Sequence, residues 1–136
     1  MKALALGLLV SVLAMGVAQA QGDAAAGANV FKKCAACHAV GEGAKNKVGP
    51  ILNDLFGRVA GTAPDYKYSD AMIKAGAGGI VWTPEEVALY LHKPKALVPC
   101  TKMSFPGLPQ QTDIDNILAY LGTFSPNYIP AAPPAQ

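Results

Sequence analysis

The sequence has few of the features that would indicate an enzyme or a nucleic-acid-binding protein. It contains no glycine-rich phosphate loop, no Ser/His/Asp set and no second cluster of cysteine and histidine. Its formal net charge is +2, and removing Lys2, which lies in a predicted leader, from the 11 basic residues leaves 10 against 9 acidic ones. Non-specific nucleic-acid binding requires a basic patch on a basic domain, so this charge balance gives it no support.

Long hydrophobic runs are also missing, except at the N-terminus. Lys2 precedes an apolar run over residues 3–17, which ends in Ala18-Gln19-Ala20. A positive start, a short apolar region and an A-x-A end are typical of a secretory signal peptide. The alternative is an uncleaved anchor, but the run is shorter than the roughly 18 apolar residues that a membrane span needs. We therefore expect cleavage after Ala20, export to the periplasm and one mature domain.

No β-hairpin signal occurs, and the recognisable segments are helical. Capping residues, glycines and prolines set the expected bounds of these segments. The predicted helices are one capped by Asp23, a short one over residues 50–56, one over residues 70–75 capped by Ser69, one from Thr83 to Pro94, and one from Thr112 to Gly122. The sequence therefore predicts an all-α domain over residues 21–125, with four to five helices and long loops. Residues 126–136 are rich in proline and predict an extended or disordered tail.

The most informative motif is Cys34-Ala35-Ala36-Cys37-His38. This spacing is the signal for covalent attachment of a c-type haem, because one turn of chain presents both thiols to the same edge of the porphyrin. His38 would then bind the iron axially. A redox dithiol or half of a zinc site are the alternatives for C-x-x-C alone. Long loops, which are unusual in a compact helical domain, are what a domain wrapped around a cofactor requires.

A second axial ligand must come from a small set of side chains. The candidates are Met72, His92 and Met103. Met72 lies within a short predicted helix and is expected in the core, whereas His92 is expected to face solvent. Met103 lies in an irregular, proline-rich segment that suits a soft thioether ligand, and we favour it.

Further motifs occur in the same order as in a known family. They are Lys45 through Gly49-Pro50, Leu55-Phe56-Gly57-Arg58, Trp82, Tyr90-Leu91, Pro94-Lys95, Pro99, and Thr101-Lys102-Met103 with Phe105. With the cysteine motif, they resemble class I cytochrome c, especially mitochondrial cytochrome c and the bacterial cytochromes c2. The resemblance extends from Gly22 to about Leu121 and implies a small helical fold wrapped around one covalent haem c.

The resemblance also implies a role for each matching residue. Cys34 and Cys37 would form the thioether bonds, and His38 and Met103 would be the axial ligands. The Pro50 carbonyl would support His38, and Arg58, Tyr68 and Trp82 would bind the inner haem propionate. Tyr90 and Thr101 would pack or hydrogen-bond near the Met103 sulfur. Where the first and last helices cross, Gly27 and Phe31 would contact Ile117 and Tyr120.

Three features depart from the family pattern. Cys100 stands where the family has glycine, which implies a positive φ that a Cβ disfavours. It is also the odd cysteine of an exported protein, and so a candidate reactive thiol or dimer link. Ala60 and Met72 replace polar residues often found near the propionates, and residues 77–79 resemble an insertion.

A haem with two protein ligands has no free position for a substrate, so we expect an electron carrier and not an enzyme. We also expect the protein to be monomeric and periplasmic. The resemblance implies a membrane quinol–cytochrome c reductase as the donor and a terminal oxidase or photosynthetic reaction centre as the acceptor, with a dehydrogenase as an alternative donor. Acidic surfaces on these partners would meet seven lysines near the haem or its ligands: Lys32, Lys33, Lys45, Lys47, Lys93, Lys95 and Lys102. The alternatives are a weak peroxidase or ligand sensor with a displaceable Met103, and a non-haem C-x-x-C oxidoreductase.

Overall fold

The structure, a computed structural model, describes residues 22–130. It contains five helices: α1 (Ala24–Phe31), α2 (Asp70–Ala77), α3 (Pro84–His92), α4 (Pro94–Leu97) and α5 (Gln111–Gly122). Within this range no strand forms, and one isolated antiparallel bridge joins Val59 and Val81. The predicted all-α class is confirmed. The predicted signal peptide and residues 131–136 of the predicted tail lie outside the described residues.

The predicted N-caps of three helices are confirmed. The side chains of Asp23, Ser69 and Thr83 each accept a hydrogen bond from the backbone N–H three residues later. Each cap satisfies one of the N–H groups that the first turn of a helix leaves unpaired. The start of α5 was predicted one residue late, and Gln110, its N-cap, makes no side-chain cap bond.

The first and last helices pack directly on each other. A Cβ at Gly27 would lie 2.7 Å from the Cβ of Tyr120 and closer still to the backbone oxygen of Asn116, so only glycine fits at this crossing. Next to it, the rings of Phe31 and Tyr120 lie 5.4 Å apart. The predicted contact of Gly27 and Phe31 with Tyr120 is therefore present, and it closes one end of the core.

The short helix predicted over residues 50–56 is wrong. The backbone there forms turns, and Asp54 adopts a φ of 52°. Carbonyl oxygens that a helix would pair with its own N–H groups are bound by side chains from elsewhere. His38 donates to the Pro50 carbonyl, and Arg58 donates to the carbonyls of Ile51 and Asn53. These bonds to His38 and Arg58, which line the site, hold residues 50–56 in a non-helical conformation.

A second difference follows α3. Pro94 was expected to end that helix, but it also begins the four-residue α4. Proline is favoured at the first helical position because its fixed φ suits the helix and its missing N–H is not needed there. Among the helices of residues 22–130, none has the length and apolar character that a membrane span needs.

Candidate haem site

Loops and helices together line a cavity of about 420 Å³, within the range of ligand pockets in proteins. All ten residues to which the resemblance assigned a role at the haem line it. These residues are Cys34, Cys37, His38, Pro50, Arg58, Tyr68, Trp82, Tyr90, Thr101 and Met103. Most of the other lining side chains are apolar, including Phe31, Leu52, Leu55, Val87, Leu91, Phe105, Ile117 and Leu121.

The two cysteines lie on one turn of the chain that follows α1. The N–H groups of Cys37 and His38 both donate to the Cys34 carbonyl, at 3.0 and 2.9 Å. Both thiols line the cavity. Burial raises the pKa of the Cys34 thiol, against the smaller opposing effect of the Lys33 charge, so the neutral thiol is the form present at neutral pH.

His38 is oriented by its neighbours. Its Nδ1 lies 2.7 Å from the Pro50 carbonyl oxygen, and because a carbonyl can only accept, Nδ1 carries the proton. Nε2 is then left with the lone pair that a metal needs, the usual arrangement for a ligating histidine. Burial lowers the pKa of His38, which favours the neutral ring. Gly49 lies against the imidazole so closely that a Cβ there would be 2.8 Å from both ring nitrogens.

The thioether of Met103 lines the same cavity from the loop that follows α4. The Thr101 hydroxyl oxygen accepts from the Met103 N–H at 3.3 Å and lies 2.7 Å from the Tyr90 hydroxyl. Burial raises the pKa of Tyr90, so this pair is uncharged. Of the rival candidates, His92 is exposed and does not line the cavity, whereas Met72 is buried and does. The structure therefore narrows the choice to the two methionines.

Arg58, Tyr68 and Trp82 provide a polar part of the lining. The Arg58 guanidinium donates to the carbonyl of Ile51 at 3.1 Å and to that of Asn53. The Tyr68 hydroxyl accepts from the Ala63 N–H at 3.1 Å, which leaves its own proton free to donate. These groups can bind an anionic substituent of a buried ligand, which would otherwise be costly to desolvate.

Several polar contacts around the cavity were not predicted. The Tyr66 hydroxyl donates to the Val48 carbonyl at 2.6 Å, and the Lys102 ammonium lies 5.3 Å from the centre of the Tyr66 ring. Lys102 also donates to the Lys67 carbonyl at 2.6 Å. Each contact joins a side chain to a loop distant in sequence, and neither spacing nor composition carries a signal for such pairs.

Cys100 adopts a φ of 65° and is exposed, in agreement with the expected glycine-like backbone. A non-glycine residue in this region of backbone conformation costs about 1–2 kcal/mol.

The Cys100→Gly variant is therefore expected to unfold at a higher urea concentration than the parent protein. The free energy of unfolding is expected to rise by about 1 kcal/mol, once the extra entropy of glycine in the unfolded chain is subtracted. Cys100→Ala, measured under the same reducing conditions, keeps the strain and is expected to match the parent protein. Equal stabilisation by both variants would attribute the effect to the thiol instead of the backbone.

Comparison with known proteins identifies the family. The family model described as cytochrome c matches residues 24–125, most of the chain. The chain belongs to the cytochrome c family. It is 56% identical over 106 residues to a cytochrome c2 of Afifella marina, which covers 78% of this chain and 86% of that protein. It is 53% identical over 111 residues to a cytochrome c2 of Agrobacterium tumefaciens (strain II Chrys). That alignment covers 82% of this chain and 99% of that protein.

Solved structures agree with this assignment. The structure of cytochrome c2 from Rhodospirillum centenum superposes with a TM-score of 0.74 at 44% identity and covers 77% of this chain and all of that one. The predicted class I cytochrome c fold is confirmed. Cytochromes c carry electrons on a covalently bound haem c, and Cys34 and Cys37 occupy the attachment positions in this chain.

The described residues fit that cofactor on their own chemistry. The cavity offers two thiols on one turn, an imidazole with its Nε2 lone pair free, and a thioether, within a largely apolar lining. The backbone of Gly49 packs where any larger residue would meet the His38 ring. When bound, the haem supplies an iron that changes its oxidation state by one electron.

Proposed function

We propose that the protein is a periplasmic carrier of single electrons in which His38 and Met103 would both bind the haem iron. The observation that carries the proposal is that a single cavity is lined by both thiols, by His38 and by Met103. If the chain supplies both of these ligands, the iron would have no position left for oxygen or a substrate. This favours electron transfer over catalysis.

The surroundings of the two ligands support a high reduction potential. A thioether ligand and an apolar pocket both stabilise ferrous iron relative to ferric iron. Tyr90 and Thr101 form an uncharged hydrogen-bonded pair beside Met103 and so add no charge to the pocket. Arg58, Tyr68 and Trp82 would hold the inner propionate. The positive charge of Arg58 would partly offset the negative charge of that propionate.

The surface near the site suits brief docking to acidic partners. All seven lysines that the sequence singled out are exposed, and Lys33 and Lys102 line the cavity. Such charges steer encounter more than they add affinity, as a rapidly exchanging electron carrier requires. We propose a quinol–cytochrome c reductase or a dehydrogenase as the donor, and an oxidase or a photosynthetic reaction centre as the acceptor. The proposed location requires cleavage of the signal peptide after Ala20.

Visible spectroscopy of the purified protein tests this function. We expect a c-type pyridine haemochrome and, in the ferric protein, the far-red band of methionine-ligated haem. Cyanide and hydrogen peroxide are expected to react slowly, because the chain's own ligand must first leave the iron. Rapid cyanide binding or peroxide turnover would instead support the peroxidase or sensor alternative. A colourless protein would support the non-haem oxidoreductase.

A further inference from the structure

The residues that follow α5 are held against a loop of the site by two hydrogen bonds. The Phe124 carbonyl accepts from the N–H of Asp54 at 2.8 Å. The Ser125 hydroxyl oxygen accepts from the N–H of Phe56 at 3.2 Å. We call residues 124–128 the C-terminal segment.

An aromatic contact adds to these bonds. The chain turns after Ser125, where the Tyr128 N–H donates to the Ser125 carbonyl at 3.1 Å. The Tyr128 ring then packs on Phe56, with the ring centres 5.6 Å apart. Ile129, the next residue, is 87% exposed. The first part of the proline-rich tail is therefore packed on the domain, and this packing ends at Tyr128.

The contacted loop needs such support. Asp54 has a φ of 52°, which is unfavourable for a residue with a Cβ, so other contacts must hold it there. Phe56 and Ser125 are 8% and 5% exposed, so the hydrogen bond between them is shielded from water. Without the Ser125 hydroxyl, the Phe56 N–H would be buried with no acceptor, which is costly.

The same loop leads into two of the groups proposed to bind the haem propionate. The Arg58 N–H donates to the Leu55 carbonyl at 3.1 Å, and the Gly57 N–H donates to the Trp82 carbonyl at 3.0 Å. The Trp82 N–H in turn donates to the Arg58 carbonyl at 2.8 Å. A displacement of residues 54–56 would therefore reach both Arg58 and Trp82 through consecutive backbone hydrogen bonds.

We propose that the C-terminal segment, through Ser125 and Tyr128, positions Arg58 and Trp82 for the inner haem propionate and so helps to set the reduction potential. The inference rests on the proposed function. The negative charge of the propionate favours ferric iron over ferrous iron, because ferric iron carries the larger positive charge. A well-placed guanidinium offsets that negative charge and so favours ferrous iron. Loosening the segment therefore lowers the potential. Ser125 and Tyr128 are positioning residues, because they act through Arg58 and Trp82.

Spectroelectrochemical titration of the full-length holoprotein tests the proposal. Tyr128→Ala and Ser125→Ala are expected to lower the reduction potential. Tyr128→Phe keeps the ring and is expected to retain the parent value, as is Ile129→Ala, a truncation of the exposed neighbour. Urea unfolding of the same variants is measured in parallel. A loss of stability with an unchanged potential would show that the segment is merely structural and would overturn the proposal.

A double-mutant cycle tests whether the effect passes through Arg58. In an Arg58→Gln background, Tyr128→Ala is expected to lower the potential much less than in the parent protein. An equal shift in both backgrounds would overturn the proposed route. If Arg58→Gln fails to retain haem, the cycle is run with Trp82→Phe, which removes the indole N–H, and the same two outcomes decide. The spectrum of the parent protein tests the proposed function separately, since it does not depend on the C-terminal segment.

Discussion

Replacing Met103 by leucine is expected to abolish the far-red band of the ferric protein. Leucine has nearly the same volume but no sulfur, so the loop can keep its packing while the iron loses its proposed sixth ligand. The reduction potential is expected to fall by on the order of 0.1 V or more, within the span of about 0.8 V that axial ligands set. The open position is expected to bind cyanide rapidly. Visible spectra, potentiometry and stopped-flow mixing measure these three effects.

The matched control is Met72→Leu, which makes the same change at the other methionine of the cavity. Met72 is buried in α2, and a volume-conserving change in a core costs less than about 1.5 kcal/mol. We expect this variant to keep the far-red band and the potential. His92→Ala, at an exposed position, is a second control with the same expected result. Loss of the band in Met72→Leu but not in Met103→Leu would assign the ligand to Met72.

Replacing Gly49 by alanine is expected to destabilise the protein by about 3 kcal/mol, the upper end of the usual cost of overpacking. The new Cβ would lie 2.8 Å from both nitrogens of His38. The backbone cannot easily move away, because the Gly49 N–H donates to the Cys37 carbonyl at 2.7 Å and its own carbonyl accepts from the Lys47 N–H at 2.9 Å. The His38 ring must therefore shift, which weakens its bond to Pro50 and its approach to iron. Urea unfolding and the yield of haem-containing protein measure the effect.

Gly78→Ala provides the control for the loss of a glycine. Gly78 has a φ of −78°, which any residue adopts, and a Cβ there would meet nothing closer than the Lys74 carbonyl oxygen at 3.3 Å. We expect its stability to lie within about 1 kcal/mol of the parent, because a compatible alanine also reduces the entropy of the unfolded chain. If Gly49→Ala is as stable as Gly78→Ala, the contact with His38 is not the constraint that the structure indicates.

The sequence predicted the elements whose signals are local. The caps at Asp23, Ser69 and Thr83 lie beside the helices they begin, and the cysteine motif occupies five consecutive residues. Met103 could be favoured because the sequence offers few candidate ligands, but other site residues, such as Arg58 and Trp82, could be proposed only by resemblance to a family. Their chemistry depends on loops that come together in the folded chain.

The wrong prediction of a helix over residues 50–56 also has its origin in contacts between distant parts of the chain. A short helix was expected there, but the carbonyls of Pro50, Ile51 and Asn53 are bound by side chains from outside the segment. Tertiary hydrogen bonds therefore override the local preference. Ser125 and Tyr128 likewise show no sequence signal, since a serine before a proline-rich tail usually marks a loop. Their contacts with Phe56 join distant parts of the chain, since Ser125 and Phe56 are 69 residues apart in sequence.

The strained, exposed Cys100 gives the holoprotein an unusual chemical property. The sequence has three cysteines, and two of them are consumed by attachment of the haem. Cys100 is then the one thiol left for chemisorption on gold, and it precedes Met103 by only three residues. A monolayer formed through this sulfur would orient every molecule alike, with the loop that carries Met103 next to the metal. Cyclic voltammetry could then record electron exchange without a mediator or an engineered linker.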